Sequence, residues 1–187
     1  MRVVYTSAAG LAWDITQMVS AVTWAGDYKQ AARTLDIDLI AGDRAGPDGH
    51  IPTQISLGEM IQMFEGTDEL FRGYVFGVER ALGSGLRQIK CYDGCIYIVK
   101  SAIARNFADI TAGGITRMVA GELGLQVGSL PSDAGLDISF PHLSKPAYSA
   151  IMGAWTKVSE ATGYKYLLRM SGGLLTVVIM GAVYAPY

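Results

Sequence analysis

Charge is scarce in this sequence and nearly balanced: 15 Lys and Arg stand against 17 Asp and Glu among 187 residues, a formal net charge of −2. That balance excludes both the broad basic field of a nucleic-acid binder and the acidic tail of a charged-partner protein. Cysteine is rarer still. Cys91 and Cys95 are the only two, too few for a disulfide framework and without a nearby soft ligand to complete a zinc site, so a reducing, cytoplasmic place of synthesis is expected. The two histidines, His50 in a Gly/Pro-rich loop and His142 in SFPHLS, have no carboxylate or thiol at ligand spacing. Long apolar runs are missing as well: Gly173 to Tyr187 is the most apolar stretch and falls short of the ~20 residues a spanning helix needs. The short apolar run at the N-terminus is broken by Thr6 and Ser7, which argues against a signal peptide. GxSxG, HExxH and an EF-hand loop do not occur. VVYTSAAGLAW has one glycine where a dinucleotide fingerprint needs three, and AGDRAGPDGH lacks the GK[ST] ending of a phosphate loop.

What is present is a hydrophobic half, 50% of the residues, enough for a sizeable core, and a β-rich pattern that begins at once. Within WAGDYKQAARTLDIDLI, a Gly-Asp turn releases a strand in which Leu35, Ile37 and Leu39 alternate with Thr34, Asp36 and Asp38. This period of two predicts one buried face and one facing solvent or a neighbouring subunit. Arg2 to Thr6 reads as a preceding strand. Trp13 to Thr23 reads as extended, although Ile15, Met18, Val19 and Val22 settle into no single period. Residues 45–54, with two Gly and two Pro, form a loop by composition. Glu59 to Phe64 and Leu70 to Arg80 flank a Gly-containing polar turn and predict a hairpin, with Gly73 and Gly77 marking bulges where a sheet curves. Gly83-Ser84-Gly85 turns the chain into another strand, Leu86 to Tyr92.

After Gly94 the grammar changes. Asp109 or Thr111 can cap a helix carrying Ile115, Met118, Val119 and Leu123, with Gly124 as its stop. A second helix is capped by Ser144, takes Pro146 in its first turn, buries Tyr148, Ile151, Met152, Trp155 and Val158, and ends at Gly163. Tyr164 to Met170 and Leu174 to Met180 around Ser171-Gly172-Gly173 predict a closing hairpin. The expected fold is therefore α+β: an antiparallel, barrel-like β-domain over residues 1–95, then an α+β domain with two helices and a hairpin over residues 96–187.

No residue set emerges as a catalytic, cofactor-binding or metal-binding site, and no cofactor is expected. CYDGC is a CxxxC without a second pair, and free cysteines of this kind behave mostly as small buried hydrophobes. Asp36, Asp38, Glu59 and Glu65 can pair as acid and base in principle, but solvated strand faces carry such carboxylates far more often. The remaining signal is aromatic: Tyr5, Trp13, Trp24, Tyr28, Phe71, Tyr74, Phe76, Tyr92 and Tyr97 exceed what so small a domain easily buries, so some are expected to face partner subunits.

The ordered segments VTWAGDYKQAARTLDIDL, ELFRGYVFGVER, IKCYDGCIYIVKS and GAWTKVSEATGYKYLLRMSGGLLTVV resemble the XkdQ/YqbQ-type baseplate hub proteins of contractile-tailed phages, defective prophages and tailocins. Such hubs are similar to the tail-hub proteins of larger phages and to the hub part of type VI secretion spike proteins. The resemblance implies a non-enzymatic virion protein of the tail baseplate, made in the host bacterial cytoplasm, with two tail-tube-like β-domains per subunit. Three subunits would form a ring adapting a sixfold tail tube to a threefold spike. Implied partners are further copies in a homotrimer, the tail tube protein, the spike protein, the tape-measure protein and baseplate wedge components, with no specific nucleic-acid binding and no membrane insertion. A lumen-lining Thr34-Asp36-Asp38 face would keep the channel polar. Family members run beyond the position matching Tyr187, so residues 96–187 are expected to begin a second hub domain whose remainder is missing or supplied by neighbours. The competing expectation is a small tail-associated enzyme or peptidoglycan-binding module.

Overall fold

The computed structural model describes residues 1–26, 31–40, 55–80 and 86–181. The loop expected at 45–54, the turn at 83–85 and the residues Tyr28 and His50 lie outside them. The chain divides into two units, Met1–Asp27 with Arg33–Asp93, and Tyr28–Ala32 with Gly94–Tyr187.

In the first unit, strands β1 (Arg2–Thr6), β2 (Ala12–Asp14), β3 (Val19–Ala25), β4 (Thr34–Ile40), β5 (Met60–Glu65), β6 (Asp68–Arg80) and β7 (Leu86–Asp93) form one antiparallel sheet in the order β2-β1-β5-β6-β7-β4-β3. The alternation read in β4 is the one observed: Leu35 and Ile37 are fully buried and Leu39 nearly so, while Thr34, Asp36 and Asp38 are half-buried on the other face. Because side chains alternate along every strand, the same face collects Val3, Tyr5, Ile61, Met63, Phe71, Val75, Ile89 and Cys91 into a single core. The expected barrel is not closed among the described residues, where β2 and β3 end the sheet as edges. The segment that resisted a single period, Trp13 to Thr23, proves to be three pieces. A 3-10 turn at Thr16–Met18 separates β2 from β3, pinned by the Val3 amide donating to Thr16 Oγ1 at 2.8 Å.

The β5–β6 hairpin turns through Gly66 at φ +60°, and Glu65 pairs with Asp68. Farther along β6 the register against β7 slips between Val75 and Gly77, leaving Phe76 as the extra residue of a bulge. Gly73 has a different reason for being glycine: a Cβ there would collide with the Tyr92 carbonyl and the Phe71 ring.

Among its described residues the second unit contains three helices where two were expected. The additional one, α1 (Cys95–Lys100), is a six-residue helix whose sequence CIYIVK is rich in β-branched residues, which favour strands. It leads into β8 (Ala102–Ile110), α2 (Ala112–Glu122), β9 (Ile138–Pro146), α3 (Ala147–Thr162), β10 (Tyr166–Ser171) and β11 (Leu174–Ile179). Thr111 caps α2, its side chain accepting from the Gly114 amide at 3.2 Å. The expected Ser144 cap of α3 is absent: Ser144 lies in β9 at φ +46°, and the helix opens from Pro146 without a side-chain cap. Gly163 ends α3 in the left-handed conformation at φ +78°. The closing hairpin turns through Gly172 and Gly173, both at positive φ as a two-residue type I′ turn demands.

The core of this unit forms where α2 and α3 pack together with β10 and β11. Trp155 is fully buried and sits at 4.8 Å from the Tyr166 ring. Its Nε1–H donates to Thr116 Oγ1 at 3.0 Å, and that hydroxyl donates to the Ala112 carbonyl at 2.8 Å, so the one polar atom of the indole is satisfied inside the core.

Candidate interaction surface

The sheet of the first unit has a second face, and that is where its exposed chemistry collects. Tyr74 of β6 is registered against Tyr92 of β7, and Phe76 at the bulge meets Tyr92 edge-on at 5.4 Å. Lys90 Nζ lies 5.8 Å from the Tyr92 ring centre, and the Arg2 guanidinium covers Phe64 at 4.6 Å. A bidentate ion pair joins Arg72 to Glu69 at 2.9 and 2.7 Å, with Gln62 Nε2 donating to the same carboxylate at 2.6 Å. Asp36 and Asp38 share this face. Asp36 stands opposite Lys90 on one side and Thr23 on the other, and Asp38 opposite Gln88 and Ala21.

Eight of the nine aromatics lie among the described residues, and they separate sharply. Tyr5 and Phe71 are core residues, and Tyr5 stacks on the half-buried Trp13 at 5.4 Å. Tyr74 and Tyr92 are half-buried. Trp24, Phe76 and Tyr97 remain 44%, 43% and 38% exposed, too much for core filling, and Trp24 is partly covered by the Arg33 guanidinium at 5.6 Å.

The four carboxylates are not gathered at one place. Asp36 and Asp38 sit side by side on β4, Glu65 is exposed at the end of β5, and Glu59 precedes β5. Glu59 is the one with a built environment: its Oε2 accepts the Tyr5 hydroxyl at 2.6 Å and the Ser56 amide at 2.7 Å, and Oε1 accepts the Ala8 amide at 3.3 Å. Burial pushes this carboxyl up, but those donors outweigh it and hold Glu59 below the usual carboxylate range. Burial, then the hydrogen bond to Glu59 and its charge, drive the Tyr5 phenol well above its ordinary value. This pair clasps the β1 strand and its following turn to the segment entering β5, and its partners are 54 residues apart, which local spacing cannot reveal.

Cys91 and Cys95 are both buried, and neither is in a disulfide. Burial, with the Asp36 carboxylate adding to it, pushes the Cys91 thiol up to about 12, the opposite of a reactive thiolate. His142 is buried, with Nε2 at 3.2 Å from the Lys145 carbonyl and its ring edge-on to Phe140. Among the described residues no three His, Cys, Asp or Glu are grouped to hold a metal ion, and no helix is long and apolar enough to cross a membrane. The sequence reading missed Asp133. It accepts the Gly113 amide at 3.0 Å and the Gly135 amide at 3.2 Å, tying the segment after α2 to that helix's first turn.

The architecture is one shared with solved tail proteins, two of them of prophages. A prophage MuSo2 43 kDa tail protein from Shewanella oneidensis superposes with a TM-score of 0.69 at 15% identity, over 95% of this chain and 54% of that one. A tail protein from Neisseria meningitidis MC58 gives 0.64 at 12% identity, over 94% and 49%. The prophage tail protein gp18 from Listeria monocytogenes EGD-e gives 0.56 at 7% identity, over 95% and 50%. This chain thus spans about half the length of the structures it resembles. The model of the YQBQ-like family matches residues 22–184, and the chain belongs to that family. No curated protein matches it.

Proposed function

We propose that this protein is a structural subunit of a phage-type tail, acting as the baseplate hub of a contractile particle. The observation that carries the reading is the family match over residues 22–184, joined to a fold shared with three tail proteins. In this reading the first unit is one of two tube-like β-domains per subunit, its sheet completed toward a barrel within the assembly. The second unit begins the other. Three subunits close a ring that meets a sixfold tail tube above and a threefold spike below, with the tape-measure protein and wedge components as further partners. The ring is the protein's whole task and no step of it needs catalysis; Trp24, Phe76 and Tyr97 supply apolar contact area of the kind interfaces favour.

The Asp36–Asp38 face of β4 is the candidate lumen wall. Its two carboxylates carry the polarity, while Lys90 opposite Asp36 tempers the local negative charge that would repel passing DNA. Immunogold labelling of tail particles tests the assignment. Label confined to the baseplate end of the tail supports it. Label along the sheath or on the capsid, or absence from purified particles, contradicts it.

A further inference from the structure

The two edges of the seven-stranded sheet are treated very differently. At one end β2 has three residues, one of them Asp14, so it is short and charged, as protected edges are. At the other end β3 has seven residues, VSAVTWA, and pairs only with β4 among the described residues. It contains no Lys, Pro, Gly or acidic residue, and the chain is free of charge from Ile15 to Gly26. Ser20, Ala21, Thr23, Trp24 and Ala25 are all exposed. Its only irregularity is a register shift between Val19 and Ala21 at the start, where Ser20 Oγ donates to the Asp38 carbonyl. From Ala21 onward the edge is regular and offers the backbone groups of every second residue to another strand.

The same chain carries a strand suited to it. β8 has nine residues and among the described residues pairs only with β9, and six of its nine side chains are exposed, among them Ala102, Ala104 and Ala108. Its two charges are engaged within its own unit: Arg105 with Glu122 at 2.7 Å, and Asp109 Oδ1 with Ser139 Oγ at 3.1 Å. By contrast β9 is blunted by Pro141, Lys145 and Pro146 and packs against α3. We propose that β3 of one copy receives β8 of a neighbouring copy, joining subunits by strand addition between an uncharged edge and one whose two charges are already engaged within their own unit. Because the two edges differ, the contact is heterologous and propagates in one rotational sense, as a ring requires and a two-fold dimer does not. The inference rests on the ring reading above and adds the surfaces that make the ring.

The test uses the full 187-residue chain. An Ala21→Lys/Thr23→Lys variant charges the β3 edge at two exposed positions and leaves the core untouched, so its far-ultraviolet circular dichroism spectrum should match the parent. Multi-angle light scattering should show an oligomer for the parent and loss of it for the variant. Chains carrying Thr23→Cys together with Ala102→Cys, Ala104→Cys or Ala108→Cys should form interchain disulfides on mild oxidation in one register, the native cysteines being buried. If the Lys variant assembles like the parent and none of the cysteine pairs crosslinks, the β3–β8 contact is overturned and the ring reading survives. A parent that stays monomeric at its highest soluble concentration overturns both.

Discussion

Ile37 and Asp36 are adjacent in β4 and carry opposite duties, so replacing each by alanine should give very different results. Ile37 is fully buried and registered between Val22 of β3 and Ile89 of β7. Ile37→Ala removes three side-chain carbons from a closed core. At about 0.8 kcal/mol per buried carbon the transfer loss alone is ~2.4 kcal/mol, and the cavity left behind carries the total to about 3–4 kcal/mol. Asp36 lies half-buried on the opposite face, and Asp36→Ala should change stability by no more than ~0.5 kcal/mol. The assay is urea unfolding followed by circular dichroism, taking the midpoint at unchanged m-value. With two units in the chain, the first unit's transition must be followed on its own wherever the two separate. Equal losses for the two variants, or a larger loss for Asp36→Ala, would refute the assignment of faces on which the surface argument stands.

Other expectations follow from single contacts. Asp133→Ala leaves the Gly113 and Gly135 amides without their acceptor and should cost about 1 kcal/mol, as loss of a helix cap does. Burial pushes the Asp133 carboxyl up, but bonds from Thr111 and those amides prevail and hold it below its ordinary value. Its contribution is therefore complete above the unfolded carboxylate range and is lost as pH falls through the lower folded value. The parent-minus-variant difference in stability should be flat near neutrality and shrink on acidification, read from urea midpoints across pH. Thr116→Val removes the acceptor of the buried Trp155 Nε1–H and should destabilise by about 1–3 kcal/mol, seen as a lower midpoint in Trp fluorescence. Cys91 should resist a thiol reagent such as DTNB in the native state at pH 8 and react on unfolding, because it is buried and its thiol sits near 12.

How far the sequence revealed these features depended on whether a feature is local. The β4 strand was readable because alternation over Thr34–Ile40 is a property of consecutive residues, and Thr111, Gly124 and Gly163 were readable because caps sit at fixed offsets from the helices they bound. The region from Trp13 to Thr23 resisted because a 3-10 turn splits it, resetting the period between β2 and β3. Helix α1 was hidden by Ile96, Ile98 and Val99, whose β-branched side chains favour strands; burial of Cys95, Ile96 and Ile98 overrides that preference. The Ser144 cap failed for a related reason: β9 runs on to Pro146, and pairing with β8 takes precedence over local capping chemistry. Sheet order was beyond reach, since β1 pairs with β5 and β4 with β7 across long separations. The same applies to the surface. The exposed aromatics were expected as a group, but which of them the core would absorb depended on that order: Tyr5 went inward and Phe76 was turned outward at a bulge.

The central claim is that this chain is a ring-forming structural subunit of a tail, and the mass of the purified protein in solution tests it most directly. Size-exclusion chromatography with light scattering should give a species of three times the 20.0 kDa chain mass, without activity on peptidoglycan. A strict monomer at every concentration would contradict the account, and hydrolysis of cell wall by it would favour the enzyme in its place.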